Sequence, residues 1–382
     1  MRSEKLYFSD AYIREFSACV LECRACGDKF EAVLDRTGFF PEGGGQSSDS
    51  GYIQDVAVTA VLERDGEIYH VVSSPLEIGR EYECKIDFET RFARMQMHTA
   101  EHMLCGILHS LTGAENVGFH LTDEVTFDTD IPISEETLLR AEAMANEAVF
   151  SNLPVKAYFP SSEELDWLEY RSKLDLSDGV RVVEIEGVDA CACCAPHVSR
   201  TGEIGLIKII SAESHRGGTR MRMVAGRRAL QYVARLQREA ARVSALLSAP
   251  ILAISEACEA VLDSKAALEY KISKKDEQIV RILSENIDLT DGNAVVLLPT
   301  DTQDAARAFV NTVADRIGGL TVALYGVEGE YRYVIKIKEG NVMPAVKAAN
   351  EALSGRGGGR DNVAEGRFSA ALSDIQKYFG VE

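Results

Sequence analysis

The spacing of apolar residues changes along the chain, and each change limits the fold that the segment can adopt. Over about the first ninety residues, short stretches of alternating apolar residues are separated by turns rich in glycine and aspartate. In the stretch FSACVLEC, the alternation places Cys19, Leu21 and Cys23 on one face. Short strands at this spacing are typical of a barrel. The sequence therefore predicts a small β-barrel over residues 1–90.

Helical spacing begins after residue 90. Apolar residues recur every three or four positions from Phe92 to Leu108, and Gly113 is a natural helix terminator. A second helix is expected to start at Ser134, because serine is a favourable N-cap and two glutamates follow it in the first turn. Strands are expected around VKAYFP, RVVEI and EIGLIKII. These features predict an α+β domain over residues 91–228.

Residues 229–285 are predicted to form a helical arm. Apolar residues lie three and four positions apart in its first half, and Pro250 interrupts the helix. An antiparallel hairpin and a coiled-coil dimer both fit this apolar stripe, as does packing against the same chain. Residues 286–382 are predicted to form an α/β domain, with strands NAVVLLPT, TVALYGV and YRYVIKIK and a glycine-arginine loop, SGRGGGRDNVAEGRF.

The composition is typical of a globular protein, with 46% hydrophobic and 26% charged residues and only 9 prolines. The first residues, MRSEKLYFSDAYIREF, carry charges where a signal peptide would have an apolar run, and no window holds 18 uninterrupted apolar residues. We therefore expect no membrane span and a cytoplasmic location. The odd count of 9 cysteines favours metal binding or burial over disulfides.

Charge is unevenly distributed along the chain. The net charge of -19 argues against a general nucleic-acid-binding protein. Residues 201–250, however, carry nine bases against three acids, a net charge of +6, whereas residues 161–190 carry three bases against nine acids. Because the screening length at physiological salt is about 8 Å, a local basic face can attract a polyanion despite the overall charge.

Two residue pairs have the spacing of metal ligands. His98 and His102 lie one helical turn apart, so their imidazoles share one face of the predicted helix. Cys193 and His197 form a sulfur–nitrogen pair about ninety residues later. Three nitrogens and one sulfur suit one tetrahedral zinc ion per chain. Either pair alone arises often enough by chance to be only suggestive.

Several other cysteines leave the ligand set open. Cys191 and Cys194 flank Cys193, so either thiolate is an alternative sulfur ligand. Cys105 lies one turn beyond the histidine pair and is a weaker candidate. The Cys23–Cys26 pair resembles half of a zinc knuckle, but buried strand cysteines explain it better.

The residues around the histidine pair also limit the chemistry. A metalloprotease is disfavoured because Thr99 follows His98 where the catalytic glutamate would stand. Glu101 precedes His102, and it is either a group that supports the metal ligands or a solvated helix residue.

Four segments, taken in order, resemble one family. LDRTGFFPEGGGQSSDSGYI (residues 34–53), RFARMQMHTAEHML and CCAPHVSRTGEIGLIKI are similar to motifs of the editing domain of alanyl-tRNA synthetase and of its free-standing AlaX relatives. SGRGGGRDNVAEG resembles the end of the DHHA1-type C-terminal domain of the same synthetase. The resemblance spans nearly the whole chain and implies a long, stand-alone AlaX-type protein with a translation-factor-like barrel. One segment departs from the family pattern Cys-Gly-Gly-x-His and reads Cys193-Cys194-Ala195-Pro196-His197.

The resemblance implies a trans-editing hydrolase that removes serine or glycine from mischarged alanine tRNA at a zinc site. It implies four zinc ligands, namely His98, His102, Cys193 and His197, of which the two helical histidines are also catalytic candidates. Thr37 matches the family position whose hydroxyl faces the amino acid, and Gln46 ends a glycine run that allows close approach of a ligand. Without the resemblance, Thr37 is a turn residue and the glycine run a tight barrel turn.

Two arginine-containing segments are predicted to contact tRNA phosphates. The candidate residues are Arg216, Arg220 and Arg222 in the first segment and Arg356 and Arg360 in the second. On sequence alone, either segment is equally a solvated surface. The C-terminal half is predicted to form a homodimer, because its long apolar stripe would be costly to expose in a monomer.

Two other functions are compatible with the same residues. One is a tRNA-binding module that uses zinc for folding and does not hydrolyse its ligand, and the other is a hydrolase of a different aminoacyl ester. Release of serine from mischarged tRNA distinguishes them. The sequence does not choose between serine and glycine, or between zinc that activates water and zinc that orients the substrate.

Overall fold

The structure is a computed structural model that describes residues 3–122, 124–172, 179–288 and 291–381. It divides into two compact units, residues 1–239 and 240–382. The outer limits of the predicted domains, residues 1 and 382, lie outside the described residues. Both units combine helices and strands, which confirms the mixed α and β character expected from the sequence. The division falls within a helix, so the finer division into four domains stays a prediction.

The first unit begins with eight strands: β1 (Glu4–Lys5), β2 (Glu15–Cys26), β3 (Lys29–Leu34), β4 (Arg36–Thr37), β5 (Gly51–Ile53), β6 (Val56–Arg64), β7 (Glu67–Val72) and β8 (Glu81–Ile86). Six of them close a barrel in the order β2-β3-β7-β6-β5-β8, and β1 pairs in parallel with β4. On β2, the residues turned into the core are Phe16, Ala18 and Val20, and the predicted Cys19 and Leu21 are only half-buried. A bulge after Val20 shifts the register and brings Cys23 against the barrel core.

The rest of the first unit surrounds one long helix. Its elements are α1 (Phe88–Thr112), β9 (Asn116–Leu121), β10 (Val125–Thr129), α2 (Glu135–Phe150), β11 (Val155–Tyr158), α3 (Ser162–Leu165), β12 (Val182–Ile185), β13 (Asp189–Ala192), β14 (Ile207–His215) and β15 (Gly218–Ala225). The strands form two antiparallel sheets, ordered β14-β15-β10-β9 and β11-β12-β13. The second half of α1 is buried and supplies much of the core.

The capping residues that the sequence predicts for α1 and α2 are confirmed. Gly113 ends α1 with φ 75°, a left-handed conformation that glycine adopts without steric cost. Ser134 caps α2 by accepting a hydrogen bond from Thr137 N. The long helix therefore begins and ends close to where its sequence predicts.

The second unit contains one five-stranded sheet. The helix α4 (Gly226–Leu247) crosses the division between the units, and it is followed by α5 (Ile254–Glu285), β16 (Ala294–Leu297), α6 (Gln303–Val313), β17 (Thr321–Val327), β18 (Glu330–Lys336), α7 (Met343–Ala352), β19 (Arg356–Arg360), β20 (Val363–Phe368) and α8 (Leu372–Phe379). The strand order is β16-β17-β18-β20-β19, with β16 and β17 parallel and the other neighbours antiparallel.

The predicted glycine-arginine loop is wrong in one respect, because residues 356–360 form the edge strand β19. A Cβ on Gly357 would lie 2.4 Å from Glu365 O, and one on Gly359 would lie 2.1 Å from Val363 O. Only glycine allows β19 to come this close to β20. The glycines that suggest a loop in the sequence are therefore the residues that let this strand pack.

The helices α4 and α5 leave most of their apolar residues exposed. Leu236 is 50% exposed and Leu252, in the short turn between the helices, is 96% exposed. In α5, only Val280 and Ser284 are buried, near the end that packs against α6. Within the described residues, no single helix is long and apolar enough to cross a membrane, although α4 and α5 taken together as a bent pair meet that length and composition test.

Candidate metal centre

Four side chains from two distant parts of the chain converge in the first unit. His98 and His102 project from α1, and Cys193 and His197 follow β13. One ligand atom from each of them lies within 4.8 Å of the others. Cys193 Sγ is 3.7 Å from His98 Nε2 and 3.3 Å from His197 Nε2. The two pairs that the sequence singled out therefore meet at one place, where the three histidines are buried.

Arg181 holds the Cys193–His197 segment in place. This arginine is buried, and its Nη1 donates to Cys193 O and Ala195 O at 2.9 Å each. Its own carbonyl accepts from Cys193 N at 2.9 Å. These bonds fix the turn that presents the sulfur and His197 to α1. No local pattern in the sequence marks Arg181 for this role.

A buried ion pair fixes the glycine-rich segment against α1. Arg91, near the start of the helix, pairs with Asp49 and donates from Nη2 to Gly38 O at 2.6 Å. Asp49 Oδ2 also accepts from Phe40 N at 2.6 Å. Because both charges are buried, each depends on the other for compensation. The pair holds residues 38–49 beside the helix that carries the two histidines.

Two histidines donate from Nδ1 and so keep a lone pair on Nε2. His98 Nδ1 lies 2.7 Å from Gln46 Oε1, an acceptor, so His98 donates this bond. Thr99 Oγ1 donates to Met95 O at 2.8 Å and therefore accepts from His197 Nδ1 at 3.0 Å. Both Nε2 atoms face the Cys193 sulfur and are in the form that binds a metal.

The charges in the cluster also suit a metal. Burial raises the pKa of the Cys193 thiol, but His98 and His197 outweigh it, and the pKa falls well below its usual value. Burial lowers the pKa of His197 to about 3. Zinc binds thiolates and neutral imidazole nitrogens in tetrahedral sites, and Cys193 with the unprotonated Nε2 atoms of His98 and His197 supplies three such donors. The residues present therefore fit a zinc ion.

His102 differs from the other two histidines in its partner. Asp189 Oδ2 lies 3.3 Å from His102 Nδ1, an electrostatic contact that lacks the alignment of a hydrogen bond. Burial lowers the pKa of His102, but Cys191, Asp189 and Cys193 together raise it well above its usual value. A proton and a metal ion therefore compete for this ring.

The cysteines considered as alternative sulfur ligands have surroundings that differ from those of Cys193. Burial raises the pKa of the Cys191 thiol, which belongs to a separate group with His102 and Asp189. Burial also raises the pKa of Cys194, although the residue as a whole is exposed. Cys105 is buried 3.2 Å from Glu101 Oε1, and both burial and this carboxylate raise its pKa. Of these thiols and Cys193, only Cys193 has a lowered pKa.

Gln46 joins the cluster to a neighbouring cavity. Its backbone forms two hydrogen bonds with Gly43. The neighbouring Gly45 has a φ of 84°, and a Cβ on Gly45 would lie 2.3 Å from Phe119 O. Only glycine fits this approach without strain. Gln46, both glycines and His120 line a cavity of about 600 Å³. The glycine run thus brings a polar side chain to both the histidines and an open space.

Thr37 lies in the barrel and is not one of the four clustered residues. Its hydroxyl is 2.8 Å from His70 Nε2, and Phe39 N donates to it at 3.1 Å. His70 Nδ1 lies 3.1 Å from Ala32 O, an acceptor, so Nε2 is unprotonated and Thr37 donates to it. Burial lowers the pKa of His70 to about 4, which keeps the ring neutral. Sequence reasoning missed His70, because a lone histidine in a strand carries no signal.

The five candidate arginines fall into two groups. Arg220 makes two 2.7 Å bonds to Asp128, and Arg222 pairs with Glu124. The other three are exposed: Arg216 in the turn between β14 and β15, and Arg356 and Arg360 at the ends of β19. Arg220 and Arg222 are therefore held by Asp128 of β10 and by Glu124 just before that strand, although Arg222 is also exposed.

Comparison with a family model locates part of this centre. Residues 180–221 match the threonyl and alanyl tRNA synthetase second additional domain. The matched range contains Arg181, Asp189, Cys193 and His197. It therefore covers the half of the cluster that lies outside α1.

Three relatives extend the similarity over nearly the whole chain. The chain is 28% identical to the alanyl-tRNA editing protein AlaX-L of Pyrococcus horikoshii, over 97% of this chain and 96% of the relative. It is 27% identical to the alanyl-tRNA editing protein Aarsd1 of Danio rerio, over 98% and 95%. The alanine–tRNA ligase of Pyrobaculum calidifontis is 30% identical over 98% of this chain but only 44% of the ligase. The resemblance to the alanyl-tRNA editing family is therefore confirmed.

Proposed function

We propose that this chain is an aminoacyl-tRNA hydrolase that removes a wrongly attached amino acid from alanine tRNA. The observation that carries the proposal is the convergence of three histidines and one thiolate-forming cysteine in a chain similar throughout to alanyl-tRNA editing proteins. Such a protein acts on a tRNA charged by another enzyme, that is, in trans. Because charged tRNA is used in protein synthesis, we place the activity in the cytoplasm.

The proposed centre holds one zinc ion through His98, His102, Cys193 and His197. When bound, zinc would supply a Lewis acid that polarises an ester carbonyl or lowers the pKa of a water molecule. The two helical histidines are therefore proposed as catalytic residues as well as ligands. Gln46 holds the His98 ring by its Nδ1 proton, and it also reaches the adjacent cavity, where it can bond the substrate.

Thr37 is proposed to select serine. Its proton is committed to His70 and one lone pair to Phe39 N, and the residue is fully buried, so a ligand that reaches the hydroxyl would meet its one remaining acceptor lone pair. A serine side chain can donate its hydroxyl proton to that oxygen, whereas the methyl side chain of alanine cannot. A site that bonds a hydroxyl rejects the analogue lacking it far better than a pocket that only tolerates one. Glycine remains a second proposed substrate, but it lacks this hydroxyl, so its selection over alanine would depend on a contact other than Thr37.

Each unit has exposed arginines that are proposed to contact tRNA. Arg216, Arg356 and Arg360 are exposed, which makes them accessible to phosphates. Arg220 and Arg222 are proposed to donate hydrogen bonds to phosphates from guanidinium groups that Asp128 and Glu124 hold in place and whose charge these acids offset. The exposed apolar residues of α4 and α5 support the proposal of a homodimer through the C-terminal half.

One observation favours a second candidate function. All four ligands come from protein side chains, which is typical of zinc sites that stabilise a fold, whereas catalytic zinc usually keeps one position open. The second candidate is therefore a zinc-stabilised module that binds tRNA without hydrolysing the ester.

A deacylation panel tests both candidates. Purified full-length protein is mixed with seryl-, glycyl- and alanyl-tRNA(Ala), and the released amino acid is measured. We expect release of serine or glycine and sparing of alanine, with loss of activity and zinc in a His98→Ala, His102→Ala variant. His109→Ala is the matched control, since His109 lies on the same helix and is 43% exposed. Zinc and tRNA binding without release of any amino acid would favour the binding module.

A further inference from the structure

We infer that Asp189, clamped by Arg171, is a positioning residue that orients His102 toward the metal. The inference rests on the proposed zinc centre and adds two residues that no ligand motif contains. It concerns the one histidine of the cluster whose second nitrogen faces a full negative charge.

The clamp is a two-point ion pair. Arg171 Nε donates to Asp189 Oδ1 at 2.8 Å, and Arg171 Nη2 donates to Asp189 Oδ2 at 3.0 Å. The Asp189 side chain is 2% exposed, and Oδ2 is the oxygen that lies 3.3 Å from His102 Nδ1. Two parallel bonds fix the plane of a carboxylate. The oxygen facing His102 therefore has a single defined position.

The backbone beside the clamp is also fixed. Arg171 N donates to Ala190 O at 2.8 Å, and Ala192 N donates to Arg171 O at 2.9 Å. These bonds place Arg171 alongside β13, the strand that begins with Asp189. The arginine is thus held by its main chain as well as by its side chain.

Gly106 lets β13 come close enough to α1 for this contact. It lies one helical turn after His102, and a Cβ there would be 2.4 Å from Val188 O and 2.8 Å from Asp189 Oδ1. Any larger residue would push Asp189 away from the helix. The close approach is an observation independent of the ion pair, and it points to the same contact.

The three partners of the histidines differ in charge. His98 faces the neutral amide of Gln46 and His197 the hydroxyl of Thr99, whereas His102 faces a carboxylate. A carboxylate fixes the orientation and the proton position of a ligating histidine and makes it a stronger donor. With a metal on Nε2, a proton on His102 Nδ1 would face Asp189 Oδ2, so the 3.3 Å contact would join a donor to a charged acceptor.

Direct binding of the metal by Asp189 is the competing explanation, since Asp189, His102 and Cys191 also lie within 4.8 Å of one another. Arg171 already donates to both carboxylate oxygens, however, and its positive charge beside them opposes the binding of a cation by the same carboxylate. The geometry therefore favours orientation of His102 over direct ligation.

The test compares metal affinities of full-length variants. Zinc affinity is measured by competition with a chromophoric chelator, and cobalt(II) absorption reports the geometry at the metal. We expect Asp189→Asn to bind zinc 10–100-fold more weakly, as is typical when such a partner is lost. We also expect it to keep the intense thiolate-to-cobalt band. Because this variant leaves Arg171 without a charged partner, a double variant with Arg171→Gln removes both charges and should weaken zinc to the same extent.

Two controls separate orientation from general stability. Asp128→Asn breaks another two-point arginine pair, in the sheet of β10 and β15, and should leave zinc affinity unchanged. The double variant should melt without metal within a few degrees of the wild type. Gly106→Ala should weaken zinc while keeping both charged residues.

The outcomes distinguish this inference from the proposed function. Equal zinc affinity in the wild type, Asp189→Asn and the double variant would overturn the inference and leave the zinc centre intact. A cobalt spectrum with one fewer ligand in Asp189→Asn would show direct ligation by Asp189 instead. A wild-type chain that binds no zinc would overturn both.

Discussion

Replacing Thr99 with valine removes one hydroxyl from the metal centre at nearly constant volume. The hydroxyl donates to Met95 O, so its lone pairs accept from His197 Nδ1 at 3.0 Å and from Val198 N at 3.3 Å. Thr99 and His197 are both buried, so water cannot replace these bonds. Thr99→Val therefore leaves buried N–H groups without an acceptor.

The expected loss follows from the hydrogen bond to His197. A buried donor without an acceptor costs about 1–3 kcal/mol. The imidazole can avoid this cost by moving its proton to Nε2, but that atom faces Cys193 and is the one needed for the metal. Zinc binding must return the proton to Nδ1, where no acceptor remains, and so bears this cost; about 1.4 kcal/mol corresponds to tenfold in affinity. We therefore expect zinc to bind roughly 10–100-fold more weakly in Thr99→Val.

Chelator competition measures this loss, and Thr112→Val is the matched control. Thr112 lies on the same helix, donates to Leu108 O at 2.7 Å and accepts from Ala114 N at 3.2 Å, but has no histidine partner. Zinc affinity should fall in Thr99→Val only, and saturating zinc should restore its deacylation rate. Equal affinities in the two variants would refute the assignment of Thr99 as the acceptor that orients His197.

Three further predictions concern other parts of the chain. Burial lowers the pKa of His70 to about 4 from 6.5. Protonation therefore favours the unfolded chain, and about 3 kcal/mol of stability should be lost as the pH falls from 6.5 to 4; denaturant unfolding of the wild type against His70→Gln measures it. Arg356→Gln with Arg360→Gln should weaken tRNA binding and reduce its salt slope by about two; equal slopes in a filter-binding titration would exclude phosphate contact. Leu236→Glu should give a monomer by light scattering, and an unchanged mass would contradict the proposed interface.

Elements with strong local signals could be predicted from the sequence. The periodic apolar residues and the caps at Gly113 and Ser134 are confirmed, because capping depends on residues close in the chain. The buried strands of the second unit, β16 and β17, follow from the same kind of pattern. A continuous apolar run bounded by turns needs no knowledge of its neighbours.

The strand β19 could not be predicted, because its glycines look like a loop until their neighbour is known. Gly357 and Gly359 are required by the close approach of β20, which is a tertiary contact. Intrinsic preference disfavours glycine in a strand, and packing overrides it here. The same limit applies to β2, where a bulge determines which residues face the core.

The metal centre also contains residues that the sequence predicts and residues that it does not. The two ligand pairs could be found from their spacing, because one helical turn and one short turn each bring two donors together. The residues that hold the ligands could not be found in this way. Asp189, Arg171 and Arg181 act through contacts with residues far away in the sequence or through backbone bonds, and their spacing has no regularity.

Removal and return of the metal test the central claim most directly. Full-length protein is stripped with a chelator, and serine release from seryl-tRNA(Ala) is measured before stripping, after stripping, and after adding one equivalent of zinc. The proposed centre predicts that one zinc ion per chain is lost and regained and that serine release disappears and returns with it, while alanyl-tRNA(Ala) is spared throughout. Serine release that persists in fully stripped, folded protein would contradict the account.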